Sequence, residues 1–256
     1  MRLNQYIAHH SKYSRREADK LIQEGKVSIN KKIIQDFSYQ VKNQKVYVND
    51  KLLKEKAEYT VIVYNKPKGE LVSKKDDRGR KIIFDSLPKR FTHFTPIGRL
   101  DFTSEGLLLL SDNINVATKL MESKLERVYL LKFSGFIKEK VFDAMENGLS
   151  LEDATKGGHF KSSIQSMEFS PFLGYEVVKN TKNFSKLKVI INEGKNRELR
   201  RFFSHFGLEI LDLKRLAYGF VSLNNLPSGK VRFLTRGEYN KLHQFLEGTL
   251  EAKYSG

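Results

Sequence analysis

Apolar positions change spacing from one stretch of the chain to the next, and each change predicts an element. Leu3 and Ile7 stand four apart and predict a short amphipathic helix over residues 2–10. Ser14-Arg15-Arg16-Glu17 reads as a capping box, with the Ser hydroxyl and the Glu carboxylate each satisfying a free backbone N–H at a helix start. Ala18, Leu21 and Ile22 supply the apolar side of that second helix, and Gly25 is suited to ending it. Residues 27–30 alternate as a strand, and 45–49 do the same. The charged stretch 51–58 then reads as a linker, with the boundary near residue 56. A first unit at 1–56 and a second at 57–250 follow.

The second unit opens with an apolar strand at 59–64, which runs into Asn65-Lys66-Pro67-Lys68-Gly69, a Pro- and Gly-enforced turn. Lys74, Lys75, Arg78, Arg80 and Lys81 follow in a polar segment that reads as a mobile, phosphate-facing loop or as a plainly solvated one. Residues 98–106 are polar and glycine-bounded, and they feed directly into the apolar run Leu107-Leu108-Leu109-Leu110. Such a loop would be held rigidly by the core behind it. Asp112 or Asn113 can cap a helix carrying Ile114, Val116, Ala117, Leu120 and Met121. Strands follow at 129–133 and 187–192, whereas 134–186 is broken by Gly and Pro and shows no motif.

From Asn196, a candidate cap, Leu199, Phe202, Phe203 and Phe206 keep helical spacing, with Arg197, Arg200 and Arg201 on another face and Gly207 at the end. Three guanidiniums near a helix N-terminus predict an anion site. A strand at 231–234 and a helix from about residue 236, with Tyr239, Leu242, Phe245 and Leu246 on its apolar side, complete the pattern. No repeat appears. The fold class expected is α+β.

Charge sharpens the picture. The 256 residues hold 46 Lys and Arg against 30 Asp and Glu, a formal charge of +16, far beyond what solubility needs. A polyanion is the natural partner. Because 39% of residues are apolar, with 18 Phe and 11 Tyr, the charge does not mean disorder. There is no cysteine, which excludes disulfides, zinc–thiolate sites and Cys nucleophiles, and the six His show no metal-ligand spacing. No metal or cofactor is expected, and no apolar run approaches the roughly 18 residues of a membrane span. A cytoplasmic, soluble protein is the expectation.

Candidate chemistry centres on Gly98-Arg99-Leu100-Asp101-Phe102-Thr103-Ser104-Glu105-Gly106. An Asp beside Gly is usual in turns, so Asp101 alone would read as a turn cap. The motif, however, resembles that of the pseudouridine synthases, in the branch that modifies single sites in ribosomal RNA. The resemblance makes Asp101 the essential catalytic residue. Asn65-Lys66-Pro67-Lys68-Gly69 resembles the family turn that buttresses the active-site loop. Arg127-Val128-Tyr129 resembles a Lys-x-Tyr element whose Tyr packs against the target nucleotide, with Arg127 in place of Lys. Glu193-Gly194-Lys195-Asn196-Arg197-Glu198-Leu199-Arg200-Arg201, continuing through Gly207, Leu211 and Leu213-Lys214-Arg215 to Tyr218-Gly219, resembles the element whose Arg pairs with the catalytic Asp. That points to Arg200, with Arg201 facing phosphate or structure and a one-residue slip exchanging the two. Glu198 stands where Gln is usual.

Residues 1–56 resemble an S4 RNA-binding domain, with Arg15, Arg16 and Lys26, beside Lys12 and Lys20, as phosphate contacts. The resemblance adds Arg99, Lys66, Lys195, Asn196, Arg197 and Arg201 to the RNA-binding set. It implies a mixed, mainly antiparallel catalytic domain flanked by helices, isomerising one uridine of ribosomal RNA without metal, nucleotide or other cofactor. Large-subunit 23S ribosomal RNA is the favoured partner. Small-subunit 16S ribosomal RNA, or a non-catalytic S4-type ribosome-assembly role, is the alternative. A monomer is the default.

Overall fold

Leu3, Ile7, Ala18 and Ile22, which set the periodicity of the first two predicted helices, have no exposed surface. The structure, a computed structural model, describes residues 1–11, 13–42, 44–53, 59–159 and 162–250; the predicted linker at 54–58 and Lys12 lie outside them. The chain divides into two units, Met1–Thr60 and Val61–Gly256.

In the first unit α1 (Leu3–His10) and α2 (Arg15–Gln23) share a core with β1 (Val27–Ile29) and β3 (Val46–Val48). With β2 (Lys32–Ile33) and β4 (Lys51–Leu52) these strands form a sheet of order β2-β1-β3-β4. The capping box is formed as predicted: Glu17 N–H donates to Ser14 Oγ at 3.3 Å, and Ser14 N–H donates to Glu17 Oε2 at 2.7 Å.

The second unit is built on β5 (Val61–Lys66), β6 (Thr95–Ile97), β7 (Glu105–Ser111), β8 (Arg127–Ser134), β11 (Gly174–Asn180), β12 (Phe184–Ile191), β13 (Ile210–Tyr218), β14 (Val221–Ser222) and β15 (Val231–Phe233). β9 (Leu149–Leu151) and β10 (Met167–Phe169) pair separately. The large sheet runs β11-β12-β8-β13-β7-β5-β15, with β6 on β7 and β14 on β13. All its pairs are antiparallel except β7 with β13, which lie parallel through Lys214 with Glu105 and Arg215 with Gly106. The fold is therefore α+β with a mainly antiparallel sheet.

The helices are α3 (Ile83–Ser86), α4 (Ile114–Met121), α5 (Glu139–Asn147), α6 (Glu198–His205) and α7 (Arg236–Glu247). Leu131 and Phe133 of β8, Leu187 and Val189 of β12, Val141 and Met145 of α5 and Leu199, Phe202 and Phe203 of α6 form one core. The rings of Phe133 and Phe203 lie 4.6 Å apart, so α6 is seated on β8. This packing fixes which end of α6 meets the loop before β7. No helix among the described residues is long and apolar enough to cross a membrane.

The structure refines the sequence reading in three places. The strand predicted from Tyr59 begins at Val61. Residues 134–186, unreadable from periodicity, hold α5 and β9 to β11; β11 is an edge strand with Val177 and Val178 exposed, which erases alternation. In the basic segment Lys74, Arg80 and Lys81 have partners within the fold; Lys75 and Arg78 are exposed. Lys74 Nζ donates to the carbonyls of Thr92 and Phe94 at 2.6 and 2.8 Å and sits 3.8 Å from the Phe84 ring centroid, and burial lowers its pKa. Arg80 pairs with Asp76 at 2.6 Å, and Lys81 with Glu70 at 3.0 Å.

Candidate active site

The loop between β6 and β7 closes in a tight turn, with Ser104 N–H donating to the Asp101 carbonyl at 3.0 Å. Lys66, the last residue of β5, pairs with Gly106 across the ladder, so its side chain lies beside this turn. Lys66 has no exposed surface, and its Nζ donates to the carbonyls of Pro67, Asp101 and Ser104 at 2.9, 3.2 and 2.8 Å. Burial lowers its pKa to about 8, against the pull of Glu70, Asp101 and Glu105. The RNA-binding expectation for Lys66 is thereby corrected, since its donors are spent on the loop and it cannot reach phosphate. Gly69 N–H adds a bond to the Phe102 carbonyl at 2.7 Å.

Gly106 permits the parallel pairing behind the loop. Its φ is +104°, and an added Cβ would stand 2.3 Å from the Arg215 carbonyl oxygen and 2.7 Å from its nitrogen. Only a residue without a side chain lets β13 come this close.

Asp101 is one-third exposed, and one of its oxygens is doubly held. Arg197 Nη1 donates to Oδ2 at 3.1 Å, and Arg200 Nε approaches the same oxygen at 3.4 Å, an ion pair without hydrogen-bond geometry. Oδ1 has no partner among the described residues. Arg200 is fixed further by Nη1 to the Ile210 carbonyl at 3.2 Å and Nη2 to the hydroxyls of Thr103 and Ser104 at 3.1 and 3.3 Å. Its pKa is lowered by burial and then by Arg197, and Asp101 opposes both. Arg197 takes the left-handed conformation at φ +51° as the residue capping α6, and its Nε donates to the Gly157 carbonyl at 2.7 Å.

The arginine element therefore differs from its sequence reading in two ways. Helix α6 starts at Glu198, because the Asn196 side chain accepts from Arg201 Nη2 at 3.2 Å instead of capping. The three guanidiniums do not share a face: Arg197 and Arg200 converge on Asp101, whereas Arg201 is fully buried and turned away. Arg201 donates to the carbonyls of Asn196 and Ala154 and to Ser162 Oγ. Its RNA-binding expectation is corrected for that reason; Asn196 is exposed, with its oxygen occupied by Arg201.

The stretch without a motif supplies what holds these arginines. A Cβ at Gly157 would meet the Arg200 carbonyl at 2.4 Å, and one at Gly158 would meet the Arg201 guanidinium at 2.8 Å. The Gly157-Gly158 pair was the available signal.

Asp101 opens on a cleft of about 160 Å³ lined also by Arg99, Tyr129, Lys195, Glu198 and Arg215. Tyr129 is buried in the sheet face, opposite Val189 on β12 and Arg215 on β13. Arg127, expected where Lys is usual, is buried as well; it donates to the Asn192 carbonyl at 2.7 Å and to Tyr218 Oη at 3.1 Å. Glu198 accepts from Lys195 N–H at 3.0 Å, and burial raises its pKa to about 7. Arg99 is exposed at the rim. Lys195 is exposed too, though its Nζ is shared by Glu193 and the Glu168 carbonyl, both at 2.6 Å. Arg15, Arg16 and Lys26 are exposed on the first unit, where Lys26 pairs with Glu24 at 2.7 Å.

A carboxylate aimed by two cations, beside a buried aromatic in a basic cleft, is a site for acting on an anionic, ring-bearing substrate. Residues 60–205 match the family described as RNA pseudouridylate synthase, and residues 1–44 match the S4 domain. The chain is 53% identical over 255 residues to an uncharacterized RNA pseudouridine synthase of Helicobacter pylori, covering 99% of this chain and 97% of that one. It is 34% identical over 246 residues to ribosomal large subunit pseudouridine synthase B of Bacillus subtilis, covering 94% and 95%. A crystal structure of a pseudouridylate synthase superposes with a TM-score of 0.61 at 26% identity, covering 94% of this chain and 99% of that chain. The chain belongs to the RNA pseudouridylate synthase family.

Proposed function

We propose that this protein converts a uridine of large-subunit ribosomal RNA to pseudouridine in the cytoplasm, with Asp101 as the catalytic residue. The observation that carries the reading is the asymmetric hold on Asp101. Both guanidiniums sit on Oδ2, while Oδ1 has no partner among the described residues and Asp101 lines the cleft together with Tyr129. Two guanidiniums on one oxygen fix the direction of the carboxylate. The similarity to large-subunit synthases supports the choice of substrate.

The target base must first leave its stack, at roughly a few kcal/mol. Contacts of exposed Arg15, Arg16, Lys26 and Arg99 with phosphate, and packing of the base on Tyr129, offset that cost. Two routes are open to Oδ1: attack on the sugar carbon as a nucleophile, or removal of the neighbouring sugar proton as a base. In either, the bond from C1′ to N1 is cut and one from C1′ to C5 replaces it. The test is to map pseudouridine in ribosomal RNA from cells with and without the gene. Loss of one large-subunit position is expected, and an unchanged map would overturn the reading.

A further inference from the structure

Arg215 sits on β13 between two residues of the site, across from Tyr129 on β8 and from Gly106 on β7. Directly opposed residues share a sheet face, and Arg215 lines the same cleft as Asp101. Its Nε donates to the Leu107 carbonyl at 2.7 Å, which fixes the plane of the guanidinium. The guanidinium carbon lies 5.3 Å from the Tyr218 ring centroid, and Arg127 lies 4.9 Å from the same ring.

What sets Arg215 apart is what it lacks. The residue is 3% exposed, and among the described residues no carboxylate pairs with it. Its Nη2 is buried with no acceptor; the Nε of Arg200 and that of Arg232 are too, but each of those guanidiniums has a carboxylate partner, Asp101 and Glu238. A buried guanidinium donor without an acceptor is costly. Such a group in a cleft calls for an explanation, and a ligand that completes it is one.

We propose that Arg215 donates a hydrogen bond to a carbonyl oxygen of the uracil ring and retains the base between the cutting and the remaking of its bond to the sugar. The inference rests on the pseudouridine synthase reading and assigns the ring a partner within it. When C1′–N1 breaks, its electron pair stays on the ring and spreads from N1 to O2 and O4. When C5 bonds to C1′, the C5 proton leaves and N1 takes one up, so the overall change is an isomerisation. A fixed cation at O2 or O4 binds the charged ring more strongly than the neutral one, so the contact tightens as the bond is cut. Asp101 works at the sugar and Tyr129 packs against the base; of the cations lining the cleft, Arg215 is the one across from Tyr129 with a buried donor left unpaired.

The test uses the full chain and large-subunit RNA transcripts in single turnover, with the converted uridine replaced in separate transcripts by 2-thiouridine or 4-thiouridine, whose sulfur is a weak acceptor. In the wild type, one of the two is expected to slow conversion about tenfold to a hundredfold, the range of a charge-assisted hydrogen bond. In Arg215→Met, and in Arg215→Gln should the first not fold, the cationic donor is gone and that penalty is expected to fall below about threefold while RNA affinity stays within about threefold. A wild type indifferent to both sulfurs, or a penalty that persists in the variant, would overturn the assignment. A wild type that converts no uridine in the unsubstituted transcript would instead overturn the synthase reading itself.

Discussion

Gly106→Ala tests how the site is supported. The added methyl would stand 2.3 Å from the Arg215 carbonyl oxygen, where ordinary contact begins at 3.4 Å, so β7 and β13 would have to separate by about 1 Å. β13 is held by β8 on its other edge and cannot simply slide away. Overpacking of this kind costs roughly 1–3 kcal/mol, and a non-glycine residue at φ +104° adds about 1–3 kcal/mol of backbone strain. A loss of about 3 kcal/mol in a unit of this size lowers Tm by roughly 6–12 °C. Because Asp101 lies just upstream and Arg215 opposite, the same shift would displace the carboxylate, at about a hundredfold in single-turnover rate. Gly79→Ala is the control: its φ is +69° and its added methyl meets nothing within 4 Å. It should keep the rate and lose only a few degrees. Melting by circular dichroism and conversion of unmodified transcript measure both quantities. If Gly106→Ala melts within about 2 °C of the wild type and keeps its rate, the reasoning about this close approach is wrong.

The other substitutions follow the same logic. Lys66→Met removes the donor shared by the Asp101 and Ser104 carbonyls of the turn and the Pro67 carbonyl. It should cut turnover about tenfold to a hundredfold without changing the salt dependence of RNA binding, whereas a phosphate contact would lower that slope by about one. Glu198 is raised from 4.5 to about 7 in the folded protein, so its contribution to stability is present below pH 4.5 and is lost as pH climbs through about 7. Relative to wild type, Glu198→Gln should therefore gain stability across that window, toward an upper bound of about 3 kcal/mol, read by urea denaturation at pH 5 and pH 8. A pH-independent difference would mean that Glu198 is not strained by burial.

The parts of this molecule that the sequence made legible are those where one residue type at one spacing has a single physical use. Ser14 with Glu17 reads as a capping box, and Leu107 to Leu110 after a polar, glycine-bounded loop reads as a buried segment carrying that loop, which the structure builds as β7. Where the reading stopped, the information was not periodic. Neither Arg197, Arg200 nor Arg201 is marked by spacing as the buried one; that depends on the Gly157-Gly158 approach, which leaves no trace but two glycines. Lys66 reads as a surface lysine at a strand end, yet pairing with Gly106 carries it beneath the turn. Arg215 lies within the likeness that runs on from the arginine element, but register shifts break the alternation along β13, so spacing assigns it no face and no role.

The account stands or falls on Oδ1 of Asp101, the oxygen that Arg197 and Arg200 leave free. Asp101→Asn keeps the shape and removes the charge, so the measurement is single-turnover formation of pseudouridine in unmodified large-subunit transcript by this variant, beside its affinity for the same RNA. The predicted result is affinity within a few-fold of wild type and no detectable product. A variant that forms pseudouridine at a rate near the wild-type value would contradict the account.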